Sequence, residues 1–105
     1  MTPKVGEVYM LDLGYQGTIR PIMIMSREDP TAPRALSVFV PLTKQAHGTR
    51  YEVTMPRVPW LKLKPYANVQ AIGSAGHHEL TDLRGRFGKA VVEKIKDAIR
   101  WTMDL

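Results

Sequence analysis

The strongest periodicity in the chain lies at its C-terminal end. Along "GKAVVEKIKDAIRWTM" (88–103), at 100° per residue, Phe87, Val91, Val92, Ile95, Ala98, Ile99, Thr102 and Met103 share one wide stripe. Lys89, Glu93, Lys96, Asp97 and Arg100 fall opposite. The pattern predicts one amphipathic helix laid on a sheet. Trp101 sits at the edge of the stripe, which suits a half-buried rim or a contact between subunits.

Everything before the helix reads as short strands. "EVYMLDL" (7–13) mixes β-branched and aromatic residues with polar ones and predicts a first strand. "PIMIMS" (21–26) is apolar on both faces, as a central strand would be. "ALSVFVPLT" (35–43) alternates: Leu36, Val38, Val40 and Leu42 on one face, Ser37, Phe39, Pro41 and Thr43 on the other. "RYEVTM" (50–55) and "ANVQAIG" (67–73) give a fourth and a fifth strand. Turn chemistry separates them at "GYQG" (14–17), "REDPTAPR" (27–34) and "KQAHGT" (44–49). "PRVPWLKLKPY" (56–66), with its prolines, predicts a long irregular connection, and "HHELTDL" (77–83) one short helical turn. Short strands followed by one helix imply a mainly β fold, a strongly bent sheet or open barrel, in a single domain spanning residues 1–105.

Composition narrows the function classes. The chain has no cysteine, which removes disulfides, thiol catalysis and thiolate metal sites. No apolar run approaches a membrane span and the N-terminus lacks the apolar centre of a signal peptide, so no membrane association and a cytoplasmic location are expected. A net charge of +5 favours an anionic partner, either nucleic acid or an acidic protein segment.

Two stretches carry candidate chemistry. In "GTIRPIMIMS" (17–26), Pro21 fixes its own backbone and pushes Arg20 into an extended conformation at a strand entrance. A planar cation with five donors suits phosphate recognition, although a solvated arginine at a sheet rim fits the same residues. In "VPLTKQ" (40–45), Thr43, Lys44 and Gln45 place a hydroxyl, an ammonium and an amide at a strand end, a grip for a phosphodiester. Thr43 satisfying only a turn hydrogen bond is the alternative. His47 follows closely and is within reach of a phosphate or a leaving oxygen, or is an ordinary loop histidine. His77 and His78 are adjacent, cannot share a face, and lack ligand spacing, so no metal site is expected. Arg57, Trp60, Lys62 and Lys64 interleave bases with an aromatic, a weak nucleic-acid signal.

The succession "GEVYMLDL", "QGTIRPIMIMS", "VFVPLTKQ", "YEV", "NVQAI" and a terminal amphipathic helix resembles the MazF/PemK/Kid toxins, ribosome-independent endoribonucleases of bacterial toxin–antitoxin systems. The resemblance covers nearly the whole chain. It implies an SH3-like, partly open β-barrel with a C-terminal helix (a CcdB/PemK-like fold), a homodimer, an acidic antitoxin partner, and cleavage of single-stranded RNA with no metal or other cofactor. It places the catalytic pair on Arg20 and Thr43, with Gln16, Lys44, Gln45, His47 and Gln70 binding RNA. The 2′-hydroxyl would attack the adjacent phosphorus to give a 2′,3′-cyclic phosphate and a free 5′-hydroxyl. The general base stays open, with His47 as the one candidate.

The sequence also departs from the family pattern. The loop before Arg20 is short and lacks an acidic residue ahead of Gln16; Ile72 stands where an arginine is common. An arginine and an aspartate of the Kid branch correspond here to Ala67 and Val69. Two rival readings follow: a CcdB-like gyrase inhibitor acting through its C-terminal residues, and a non-catalytic SH3-like binding module.

Overall fold

The computed structural model describes residues 2–14 and 18–105, so Gln16 lies outside the described residues. It contains seven strands: β1 (Glu7–Asp12), β2 (Ile19–Ile24), β3 (Leu36–Thr43), β4 (Glu52–Thr54), β5 (Tyr66–Asn68), β6 (Gly73–Gly76) and β7 (Thr81–Arg86). Helix α1 (Lys89–Thr102) follows. The strands form one antiparallel sheet in the order β4-β5-β3-β2-β1-β7, with β6 also paired to β3. The terminal strands β4 and β7 do not pair with each other, so the sheet stays open. The expected mainly β, partly open architecture with one C-terminal helix is the one found.

Strand alternation sorts the apolar residues onto two faces. Val8, Met23, Val40, Leu42, Ala67 and Val69 join Phe87 and the helix residues Val92 and Ile95 in the larger core. Tyr9, Leu11, Ile22, Ile24, Phe39, Ala75 and Leu80 form a smaller cluster on the opposite face. β2 contributes to both, since Pro21, Ile22, Met23 and Ile24 are all buried, as its unbroken apolar run implies. The helix lays Val92 and Ile95 on the sheet as its stripe requires. Trp101 remains partly exposed and packs at 5.0 Å on Tyr51, with the Arg50 guanidinium 4.2 Å from its ring. Its rim position is thus occupied within the chain.

One expectation fails. The segment read as one strand over 67–73 is broken: β5 ends at Asn68, a 3-10 turn covers Val69–Ala71, and β6 begins at Gly73. Asn68 causes the break, because its side chain accepts from the Gln70 amide and caps the turn. The short helical turn expected in "HHELTDL" is present as a 3-10 turn at His77–Glu79, and the residues after it enter β7, a strand the sequence pattern did not mark. β7 is an edge strand with exposed, mostly polar residues, so no alternation marks it. Its pairing with β1 is bulged between Val8 and Met10, and Asp82 takes a positive φ of 57°. Gly85 is required there, because a Cβ would lie 2.5 Å from ring carbons of Trp60.

Candidate nucleic-acid interface

The place where β2 and β3 part defines the site. Their ladder runs Ile24–Phe39, Met23–Val40, Ile22–Pro41 and then stops. On its other edge β2 stays paired with β1 as far as Leu11–Arg20 and Asp12–Ile19. Proline has no N–H, and Pro21 and Pro41 each withdraw a backbone donor at this end of the sheet. One side of β2 is therefore anchored while the other is released. The strand phase two residues past the last pair puts Arg20 and Thr43 on the face that carries Ile22 and Phe39, on either side of the point where the ladder has ended. An arginine introduced by a proline thus stands across a gap from a strand-end hydroxyl.

The two side chains differ in their freedom. Arg20 is exposed, and no ion pair or hydrogen bond to its guanidinium occurs among the described residues. Among the described residues none of its five donors is engaged. Thr43 is half-buried, and its Oγ1 donates to the Gln45 carbonyl at 2.8 Å. A carbonyl can only accept, so the hydroxyl proton points at Gln45 and the lone pairs point elsewhere. The turn hydrogen bond weighed from the sequence therefore exists, and it makes Thr43 an acceptor toward anything entering the gap. Substrate binding that needs Thr43 as a donor requires the hydroxyl to rotate away from Gln45.

Lys44, Gln45 and His47 are exposed on the loop that leaves Thr43. The His47 amide donates to both Glu52 carboxylate oxygens, at 3.0 and 2.8 Å, and the Thr49 amide and hydroxyl each donate at 3.0 Å. The Thr49 and His47 backbone bonds hold the Glu52 carboxyl below the usual carboxylate range. This carboxylate fixes the path of the loop that carries the three candidate side chains. Gln70 is exposed on the 3-10 turn, beyond Asn68. No hydrogen bond joins it to Arg20 or Thr43 among the described residues. Along the strand and turn it lies on the order of 10 Å from Tyr66, the residue paired with Thr43.

Several further residues are now placed. Ala67 and Val69 are fully buried in the larger core, so apolar residues at these positions serve packing. Trp60 packs its ring at 4.9 Å on Phe87 and, half-buried, lines a groove with Met10, Pro21, Lys62 and Arg84. The aromatic beside the gap is Tyr66, opposite Thr43 on β5 and half-buried, with Lys64 Nζ 5.8 Å from its ring centroid. Sequence reasoning left Tyr66 in the irregular connection. The alternation of Tyr66 and Asn68 against buried Ala67 and Val69 was the available signal. His77 accepts or donates at 2.9 Å to the buried Ser37 hydroxyl, a contact between strand β3 and the turn after β6. Among the described residues, no group of three or more His, Cys, Asp or Glu is arranged to hold a metal ion. No helix described is long and apolar enough to cross a membrane.

No protein-family model and no curated protein matches the sequence. Solved structures do. A mycobacterial endoribonuclease in complex with its cognate antitoxin is 31% identical, with 98% of this chain and 96% of that chain covered, at a TM-score of 0.85. A second mycobacterial endoribonuclease is 30% identical over 100% of this chain and 94% of its own, at 0.82. MazF from Deinococcus radiodurans superimposes at a TM-score of 0.84 over 100% and 99% of the two chains with 18% identity, a likeness of fold.

Proposed function

The chain belongs to the MazF/PemK family of toxin endoribonucleases, and we propose that it cuts single-stranded RNA, mRNA above all, sequence-selectively and without a metal, as the toxin of a toxin–antitoxin pair. The observation that carries this reading is the exposed Arg20 guanidinium, with no partner among the described residues, on the same sheet face as Thr43 where the β2–β3 ladder ends.

In the proposed reaction the substrate's own 2′-oxygen attacks the adjacent phosphorus. The new P–O2′ bond forms as the P–O5′ bond breaks, leaving a 2′,3′-cyclic phosphate on one fragment. The 2′-proton is lost to a base, and the departing 5′-oxygen takes up a proton to become a hydroxyl. Negative charge builds on the non-bridging oxygens during the step. Arg20 meets that charge with the planar fork of N–H donors of its guanidinium at the strand entrance. Thr43, with its proton engaged by Gln45, presents lone pairs that can accept the 2′-hydroxyl and orient it. Lys44 and the Gln45 amide bind the flanking backbone, and His47 on the same loop is the candidate base. Gln70 and Gln16 are proposed to contact RNA further from the cut.

The test is cleavage itself. Purified protein incubated with a long single-stranded RNA in EDTA should yield discrete fragments with cyclic phosphate ends. RNA binding with no cleavage of a broad sequence pool would identify a non-catalytic module instead.

The partners follow from the same premise. The mycobacterial relative is bound to its cognate antitoxin, and for this chain an acidic antitoxin segment is proposed, placing carboxylates where phosphates would lie. A homodimer in the cytoplasm completes the reading: β4 and β7 leave sheet edges, and Leu36, Val38, Met103 and Leu105 are exposed apolar side chains. Light scattering at micromolar concentration should report about 24 kDa, twice the chain mass of 11.9 kDa. A monomer throughout that range would count against pairing.

A further inference from the structure

One row of side chains crosses the sheet face beside the gap. Register pairs Leu11 with Arg20 and Thr43 with Tyr66, and Tyr66 in turn with Thr54. In strand order, the residues of this face run Arg20 on β2, Thr43 on β3, Tyr66 on β5 and Thr54 on β4. Neighbouring paired strands are about 4.8 Å apart, so Tyr66 stands one strand spacing from Thr43, with Arg20 on the far side of the gap where β2 and β3 part. A guanidinium, a hydroxyl and an aromatic ring therefore follow one another in a line.

The other described aromatics are committed elsewhere. Trp60 packs on Phe87, Tyr51 on Trp101, and Tyr9 and Phe39 belong to the smaller core. Tyr66 alone among them is half-buried beside Thr43, with a cation at its ring. Lys64 is exposed, so its long stem can swing off the ring when a flat ligand arrives. Every nucleobase offers a π-face, and a ring next to a phosphate-binding pair is where the adjoining base would land.

We propose that Tyr66 is the stacking platform for the base next to the cut phosphate, with Lys64 neutralising the phosphate on the far side of that base. The inference rests on the RNA-cleaving reading given above and extends it to substrate binding. It makes Tyr66 a binding residue: its loss should raise KM and leave kcat nearly unchanged, because the ring touches a base and not the reacting atoms.

The experiment combines a probe of binding with one of turnover. Protein labelled with 3-fluorotyrosine is titrated with a random pool of single-stranded 2′-deoxy oligonucleotides, which retain the phosphate contacts. The resonance absent from Tyr66→Phe identifies Tyr66; it should shift upfield on saturation, while those of Tyr9 and Tyr51 stay. In parallel, Tyr66→Leu should raise KM for single-stranded RNA about tenfold to a hundredfold, the range for losing one base–aromatic stack, and Tyr66→Phe and Tyr66→Trp should restore it. Lys64→Met should lower the salt dependence of oligonucleotide binding by about one phosphate contact. An unshifted Tyr66 resonance at saturation overturns the platform even if RNA is cut. A shifted resonance in a protein that cuts no RNA supports the platform and overturns the nuclease reading. Should Tyr66→Leu fail to fold, the resonance of the unmutated protein still decides.

Discussion

Arg20→Ala is expected to reduce RNA cleavage by at least ~10²-fold, the scale of losing one donor that meets transition-state charge. The fold should survive, since Arg20 is exposed and has no partner among the described residues. Changes at such positions usually stay within about 0.5 kcal/mol, a melting shift of about 2–4 °C for a domain of this size. Arg20→Lys should recover only part of the loss, because an ammonium keeps the charge but not the planar fork. Circular dichroism and an RNA-cleavage time course, run on the same preparations, separate the outcomes. A folded Arg20→Ala with full activity would remove Arg20 from catalysis. An unfolded one would make it a structural residue, contrary to its exposure.

Much of what positions Arg20 was readable from residue types alone. The run after Pro21 can only be accommodated by burial on both faces, which makes β2 central, and the alternation from Leu36 to Thr43 fixes which side chains of β3 share a face. Once those two strands are neighbours, the phase that buries Ile22 with Phe39 leaves Arg20 and Thr43 on one side of the sheet. A one-residue slip would expose both cores, so packing energy holds this register. The two prolines add what a hydrophobic pattern cannot: they end the ladder before the strands do.

The remaining part of the site was hidden by local chemistry that patterns do not register. Prolines dominate residues 56–65, and reading the irregular segment one residue too far placed Tyr66 outside its strand. That single boundary concealed the aromatic beside Thr43. Trp60 attracted attention among the basic residues of this connection, yet Gly85 leaves a space that its ring fills against the sheet. β7 has no alternation to detect, because an exposed edge strand buries little on either face. The role of Glu52 was equally unreadable, since it depends on amides of His47 and Thr49 that converge only after the loop has closed.

Replacing the 2′-hydroxyl by hydrogen at the cut site should abolish cleavage at that position while leaving binding largely intact. If the 2′-oxygen is the nucleophile, its removal leaves no group to form the cyclic phosphate, and no rearrangement of Arg20 or Thr43 can supply one. Affinity should persist because phosphate contacts carry most of it and do not use that hydroxyl. The modified oligonucleotide should therefore inhibit cleavage of the all-RNA strand competitively. Its binding should also report on Thr43: loss of a hydrogen bond to the Oγ1 lone pairs should weaken it by about tenfold at most, the value of one neutral bond. Chelators should leave the all-RNA reaction unchanged if, as proposed, Arg20 meets the charge and the nucleophile is already in the substrate. Cleavage at the 2′-deoxy position, or fragments ending in 5′-phosphate, would show that water attacks the phosphorus and would assign the chain a different chemistry.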